Sequence, residues 1–248
     1  EYVELRLFNF LLSVTNMDVA YSSVKKFLKE HNIEIFDLVS EMLKILDSAP
    51  DSIKDVCNSY KRSTIEELWD SSEEIISHYQ QESNYKKLLN GEEGINVLYH
   101  HQTLVMINYM SEWTAFINQT LKNLLRKKNN FNNVINLQFQ DVINYSRGIS
   151  FNPFGKDRMS TNPKYEFYYD IDKWLLKDNE NLPLSHFKRA SKAKIEFRYS
   201  QDQYNLIQDQ VERLGNNVVA TSKAIFASTS IPSHYIWRKP FTEAKNLT

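Results

Sequence analysis

Cysteine is almost absent from this chain: Cys57 stands alone in 248 residues. One thiol closes no intrachain disulfide and anchors neither an iron–sulfur cluster nor a structural zinc ion. It reads as a buried thiol in a reducing, cytoplasmic setting. Glycine and proline are scarce, at five and six residues, which favours long helices over a turn-rich β architecture. No apolar run approaches the ~18–20 residues that span a bilayer; the closest, LVMINYM, is short and broken by Asn108. No signal peptide is expected, and the start at Glu1 rather than Met points to a trimmed fragment. Charge of either sign is not in excess: the formal net charge is −1, which argues against a nucleic-acid partner. Phosphate-binding loops, GxSxG, HExxH, paired-cysteine zinc motifs and the Rossmann fingerprint are all missing.

What is present is helical periodicity, with one interruption. Aromatics make up 13% of the chain, enough to supply large buried areas. From Val3 to Leu46, apolar residues recur at helical spacing, with Asp18 a candidate cap for the second helix. Pro50 and Asp51 start another helix. Ser63 and Glu66 form a capping box that predicts a helix running to Leu89 and stopping at Asn90-Gly91. The run from Asn96 to Lys128 is the strongest helical signal, with a break expected near Ser111. Another helix follows, facing Val134, Leu137, Phe139, Val142 and Ile143 inward. FNPFGKDRMSTNP then reads as a linker or ordered loop. A second box, Ser200 with Gln203, opens a helix ending at Gly215, and a short helix is expected from Asn217 to Ser228.

The interruption lies between Pro163 and Ser200. Tyr165, Phe167 and Tyr169, then Ile195, Phe197 and Tyr199, alternate with period two and read as two strands. The expected fold is therefore mainly α, with a small two-stranded antiparallel β element near 164–199. A helical domain over 1–150 would carry a smaller α+β part over 151–248, with two strands, two helices and an extended tail.

Few side chains suggest chemistry. Glu74, His78 and Glu82 share one face of a continuous helix and could ligate a metal, but a solvated face is the plainer reading. His100 and His101 point ~100° apart and chelate one ion poorly. Lys122, Arg126, Lys127 and Lys128 complement a helix end better than they build a nucleic-acid patch. Asp170 and Asp172 read as helix caps rather than half of a magnesium site. No catalytic, cofactor-binding or metal-binding residue is assigned in the chain.

The segments YEFYYDIDKWL, LPLSHF, IEFRYSQDQYNLIQDQVERLGNN and IWRKP, in that order, resemble the C-terminal region of cobalamin-binding-domain radical S-adenosylmethionine proteins. The early runs VELRLFNFLL, VKKFLKEH and IFDLVSEML are similar to the helical segment that follows the catalytic barrel in one subgroup. The resemblance implies an accessory domain, not catalytic alone, that covers the barrel or contributes to substrate binding. Its partners would be the catalytic domains of the same polypeptide. The iron–sulfur cluster, S-adenosylmethionine and cobalamin belong to that parent, since the CxxxCxxC motif is absent here. The alternative, from another class, is a stand-alone helical module that binds a protein or peptide in a groove. Any substrate or interface surface is expected around Tyr168, Trp174, His186, Arg198, Tyr235, Trp237 and Arg238, whose plainer role is to pack the strands onto the helices.

Overall fold

A computed structural model of the chain describes residues 1–89, 94, 96–128, 131–150, 162–214, 220 and 236–242. The expected helix stops at Asn90-Gly91 and Gly215, the loop at 151–161, the helix at 217–228 and Tyr235 fall outside these, apart from Ala220. The fold is mainly α with a small antiparallel sheet. No helix among the described residues is long and apolar enough to cross a membrane.

Helices α1 (Tyr2–Thr15), α2 (Ser22–Glu30), α3 (Ile35–Lys44) and α4 (Asp51–Glu66) come first. Each turns an apolar stripe inward: Leu7, Phe10 and Val14 on α1, Val24 and Phe27 on α2, Leu38 and Met42 on α3, Val56 and Tyr60 on α4. Helix α2 starts at Ser22 rather than behind Asp18, because Tyr21 is drawn into the core; Asp18 instead pairs with Lys25. Helix α4 runs through Ser63, so the first capping box is not used there. The cap comes eight residues later, where Ser71 Oγ accepts from the Glu74 amide at 3.2 Å and Glu74 Oε2 accepts from the Asp70 amide at 3.0 Å. The long helix expected beyond Ser63 is thus two short ones, α5 (Ser72–Gln80) and α6 (Glu82–Leu89), neither with a buried residue.

Helix α7 (Val97–Leu104) passes through a π-helical turn, Val105–Tyr109, into α8 (Met110–Lys127). The interruption lies at this turn, ahead of Ser111. Trp113, Phe116, Ile117 and Leu121 of α8 fill the centre of the molecule. Helix α9 (Asn133–Ile149) begins where Asn132 Oδ1 accepts from the Ile135 amide at 3.0 Å. It buries Phe139, Val142 and Ile143, while Val134 and Leu137 in its first turns stay exposed.

The sheet packs on α9. Strand β1 (Lys164–Tyr169) pairs antiparallel with β2 (Lys188–Arg198), Tyr165 opposite Ile195. The register slips between Phe167 and Tyr169. The tail adds an unexpected third strand, β3 (Lys239–Thr242), on the far side of β2. Pro240 is tolerated because β3 is an edge strand. Between β1 and β2 lies α10 (Ile171–Leu175), capped as expected by Asp170 Oδ1 accepting from the Lys173 amide at 3.2 Å. After β2, α11 (Gln201–Leu214) opens on the second capping box, with Ser200 and Gln203 bonded reciprocally at 3.0 and 3.3 Å.

Gly148 sets how closely α9 approaches the sheet. A Cβ there would lie 2.5 Å from Cγ and Cε2 of the buried Phe197 ring. Buried residues of the helices and of the sheet form one continuous cluster, from Leu7 to Trp237.

Candidate functional site

The expected surface around the sheet divides in two. Trp174, Trp237 and Arg238 are buried and hold the fold together. Trp174 Nε1 donates to the Leu182 carbonyl at 3.1 Å, and the Lys26 ammonium lies 4.8 Å from its ring centroid. The Trp237 carbonyl accepts from Gln203 Nε2 at 2.8 Å. The Arg238 guanidinium lies 5.0 Å from the Tyr199 ring centroid, and its amide donates to the Ile149 carbonyl at 3.3 Å. These are packing roles, so none of the three presents a surface.

His186 and Arg198 are exposed and Tyr168 is half-buried. Arg198 covers the Phe241 ring at 4.1 Å and Lys192 covers Tyr168 at 4.7 Å, while Lys164 pairs with Glu196 at 2.8 Å. The outer face of the sheet is thus self-paired, as cross-strand neighbours on a solvated sheet are.

Beneath the sheet sits Asp141, a buried carboxylate that sequence reasoning missed. Its Oδ2 accepts from the Tyr168 and Tyr169 amides at 2.7 and 2.8 Å, holding the register slip of β1 against α9. Burial lifts its carboxyl to about 6, against the pull of those two amides. Nearby, Tyr145 donates to Asp172 Oδ1 at 2.6 Å and Arg189 pairs with Asp170 at 3.0 Å. The only advance signal was an acid among the inward positions of α9, between Phe139 and Val142.

The other sequence candidates resolve into structural parts. Helix α5 ends at Gln80 and Glu82 opens α6, so Glu74, His78 and Glu82 share no continuous face. Among the described residues no group of three His, Cys, Asp or Glu could hold a metal. Lys122 and Arg126 lie over Phe139 and Phe131 at 5.8 and 5.3 Å. Lys127 pairs with Glu41, and Lys128 donates to the Asn32 carbonyl, both at 2.6 Å.

What the structure does assemble is an open cleft of about 680 Å³ at one end of the helices. Tyr2 of α1, Ser63, Glu66 and Glu67 at the end of α4, Leu68 and Trp69 in the link, His78 and Tyr79 of α5, and Val97, His100 and His101 of α7 line it. Trp69, His78 and Tyr79 stand as one aromatic wall, with centroids 4.9 Å (Trp69–His78), 6.5 Å (Trp69–Tyr79) and 4.9 Å (His78–Tyr79) apart.

His101 forms the floor. Its Nδ1 lies 2.9 Å from the Val97 carbonyl and therefore carries the proton, leaving Nε2 to accept from Ser59 Oγ at 3.3 Å. Burial holds the pKa of both His100 and His101 below the ordinary imidazole value, so both rings are neutral at pH 7. A serine bonded to an imidazole is half of a nucleophile–base pair. Here the ring's other nitrogen meets a backbone carbonyl, and the pair joins α7 to α4. Glu67 lies 3.8 Å from Arg6; burial raises its carboxyl, with Arg6 pulling the other way. The cleft offers aromatic faces, carboxylates and neutral imidazoles, which suits binding. Comparison of the chain with family models, curated proteins and solved structures returns no match.

Proposed function

We propose that the chain is a helical binding module whose partner is a basic, amphipathic segment of a protein, docked on α5, α6 and the neighbouring cleft. One observation carries this reading. Residues 63–80 hold five carboxylates and no lysine or arginine, and together with α6, where Lys86 pairs with Glu82 at 2.7 Å, they expose a run of large apolar side chains. Ile65, Leu68 and Ile76 are 55%, 54% and 56% exposed, and Tyr85 is half exposed. Helices α5 and α6, of 9 and 8 residues, bury no side chain, and helices this short are marginal in water on their own. A partner that covers their apolar residues and meets the carboxylates of Glu73 and Glu74 on α5 with cations supplies both missing interactions.

The test is calorimetric titration with a synthetic leucine–lysine amphipathic helix, with amide exchange followed in parallel. Saturable binding at low salt, weaker at high salt, with protection gained over 72–89 is the expected outcome. Binding without protection there, or none at low salt, would falsify the reading. The accessory-domain reading rests on the order of the motifs YEFYYDIDKWL, LPLSHF, IEFRYSQDQ and IWRKP, all within or beside the sheet unit. Its test is the iron, sulfide and cobalamin content of the full-length gene product purified without oxygen; a metal-free, colourless protein rejects it.

A further inference from the structure

Cation–π pairs recur throughout this molecule. Arg6, Lys26, Lys122, Arg126, Lys192, Arg198 and Arg238 each lie within 6 Å of the centroid of a Trp, Phe or Tyr ring of the same chain, Arg6 doing so over Tyr2 at the edge of the cleft. The Trp69–Tyr79 wall on the other side of α4's end departs from this habit. Trp69 and Tyr79 meet no lysine or arginine among the described residues, although they line the same cleft as Glu66 and Glu67. Arg6 engages Glu67, while Glu66 is exposed and has no partner among the described residues.

Two further features favour positive charge there. Helix α4 ends at Glu66, so its last carbonyls and the negative end of its dipole face this corner. The nearby imidazoles of His100 and His101 add no competing charge at pH 7. The opposing end is α7, whose N-terminus would attract anions, but Asn96 Oδ1 already accepts from the Tyr99 amide at 3.1 Å.

We infer that this corner of Trp69, Tyr79, Glu66 and Glu67 takes the cationic head of one lysine or arginine of the bound segment, its charge against the rings and Glu66. The inference rests on the binding-module reading and names the chemistry that module selects. An aromatic face worth about 0.5–2 kcal/mol to a cation corresponds to roughly 2- to 30-fold in affinity.

The test uses the full chain and three helical peptides with the same leucines, bearing lysine, arginine or glutamine on the polar face. Intrinsic fluorescence reports on the corner, because Trp113, Trp174 and Trp237 are buried and Trp69 is partly exposed. The lysine or arginine peptide should bind about 10-fold tighter than the glutamine one and shift the Trp69 emission. Trp69→Ala and Glu66→Gln should each weaken the cationic peptide by about 3- to 10-fold and leave the glutamine peptide unchanged. Asp202→Asn, exposed on α11 and away from α5, α6 and the cleft, should change it less than about twofold. Circular dichroism of each variant confirms the fold. Equal binding of all three peptides sinks the cation inference together with the basic-partner reading. The cation inference alone fails if the cationic peptides bind tighter than the glutamine one but are insensitive to Trp69→Ala and Glu66→Gln. If no peptide binds, both fail.

Discussion

Gly148→Ala is the sharpest probe of how α9 and the sheet fit together. In an exposed helix the exchange gains about 1 kcal/mol, because alanine is the better helix former. Here the new methyl would stand 2.5 Å from Phe197 Cγ, where ordinary carbon contacts lie at about 3.5–4.0 Å. The ring must therefore move by about 1 Å. It has little room to do so, because Tyr145, Tyr165 and Phe167 surround it with centroids 5.6, 6.2 and 6.0 Å away. Overpacking of this kind costs about 1–3 kcal/mol, with the upper end fitting a ring hemmed in on three sides. Set against the helix gain, the net expectation is a loss of about 1–2 kcal/mol, or roughly 2–8 °C in Tm for a chain of this size. Thermal and urea unfolding followed by circular dichroism measure it. The double variant Gly148→Ala with Phe197→Leu should lose at least about 1 kcal/mol less than the two single losses added together. A Gly148→Ala protein as stable as the parent, or a strictly additive double variant, would refute the close-approach reasoning.

Further expectations concern pH, reactivity and a pinned loop. Asp141 carries a folded-state carboxyl near 6 against an ordinary 3.8, so its contribution to stability is full below about pH 4 and is lost as pH rises through about 6. The unfolding free energy from denaturant titrations should fall across that window by up to about 3 kcal/mol, with Asp172, also raised by burial, adding in the same direction. Asp141→Asn, whose amide oxygen still accepts from both strand amides, should flatten the slope; an unchanged slope counts against this assignment. Cys57 is buried, with its thiol pushed up to about 12, so native protein should react with a disulfide reagent only as fast as it opens. Prompt stoichiometric labelling would contradict that. Lys26 donates to the Trp174 and Asn179 carbonyls and fastens the segment after α10 onto α2. Lys26→Met should lower stability by about 1–3 kcal/mol and speed amide exchange over 174–184, and exchange unchanged there would show the fastening is dispensable.

The parts of the fold legible in the sequence are those written locally. The aromatic alternation at Tyr165–Tyr169 and Ile195–Tyr199 marked two strands, because side chains on a pleated sheet must alternate. The Ser200 box and the Asp170 cap were equally local. The third strand was not legible: KPFT is four residues long, contains a proline and has no alternation to show. Ser63 and Ser71 each precede a glutamate by three residues, and only the burial of Thr64 with the rest of α4 decides that the helix continues past the first. The cleft was beyond local reading, because it joins residues near 2, 66–69, 78–79 and 97–101, which only the packing of α1, α4, α5 and α7 brings together. Trp174, Trp237 and Arg238 left two readings open, packing and surface, for a related reason. An arginine beside aromatics has the same composition whether it faces solvent or, like Arg238 over Tyr199, is buried against a ring.

The π turn at Val105–Tyr109 works as a phase adjuster. Such a turn accommodates one residue more than an α-helix would, and one residue is about 100° of rotation. Upstream, His101 and Val105 face the core; downstream, Trp113, Ile117 and Leu121 do. These two stripes meet the same interior only because the wide turn absorbs the extra residue between them. Deleting the exposed Asn108 would let the segment close as an ordinary α-helix, because the residue removed is the one the wide turn absorbs, and Trp113 would keep its phase. A residue removed within α8, where no wide turn takes up the difference, would rotate every side chain beyond it by about a quarter of a circle. Loss of Asn108 should therefore be tolerated better than loss of a residue within α8.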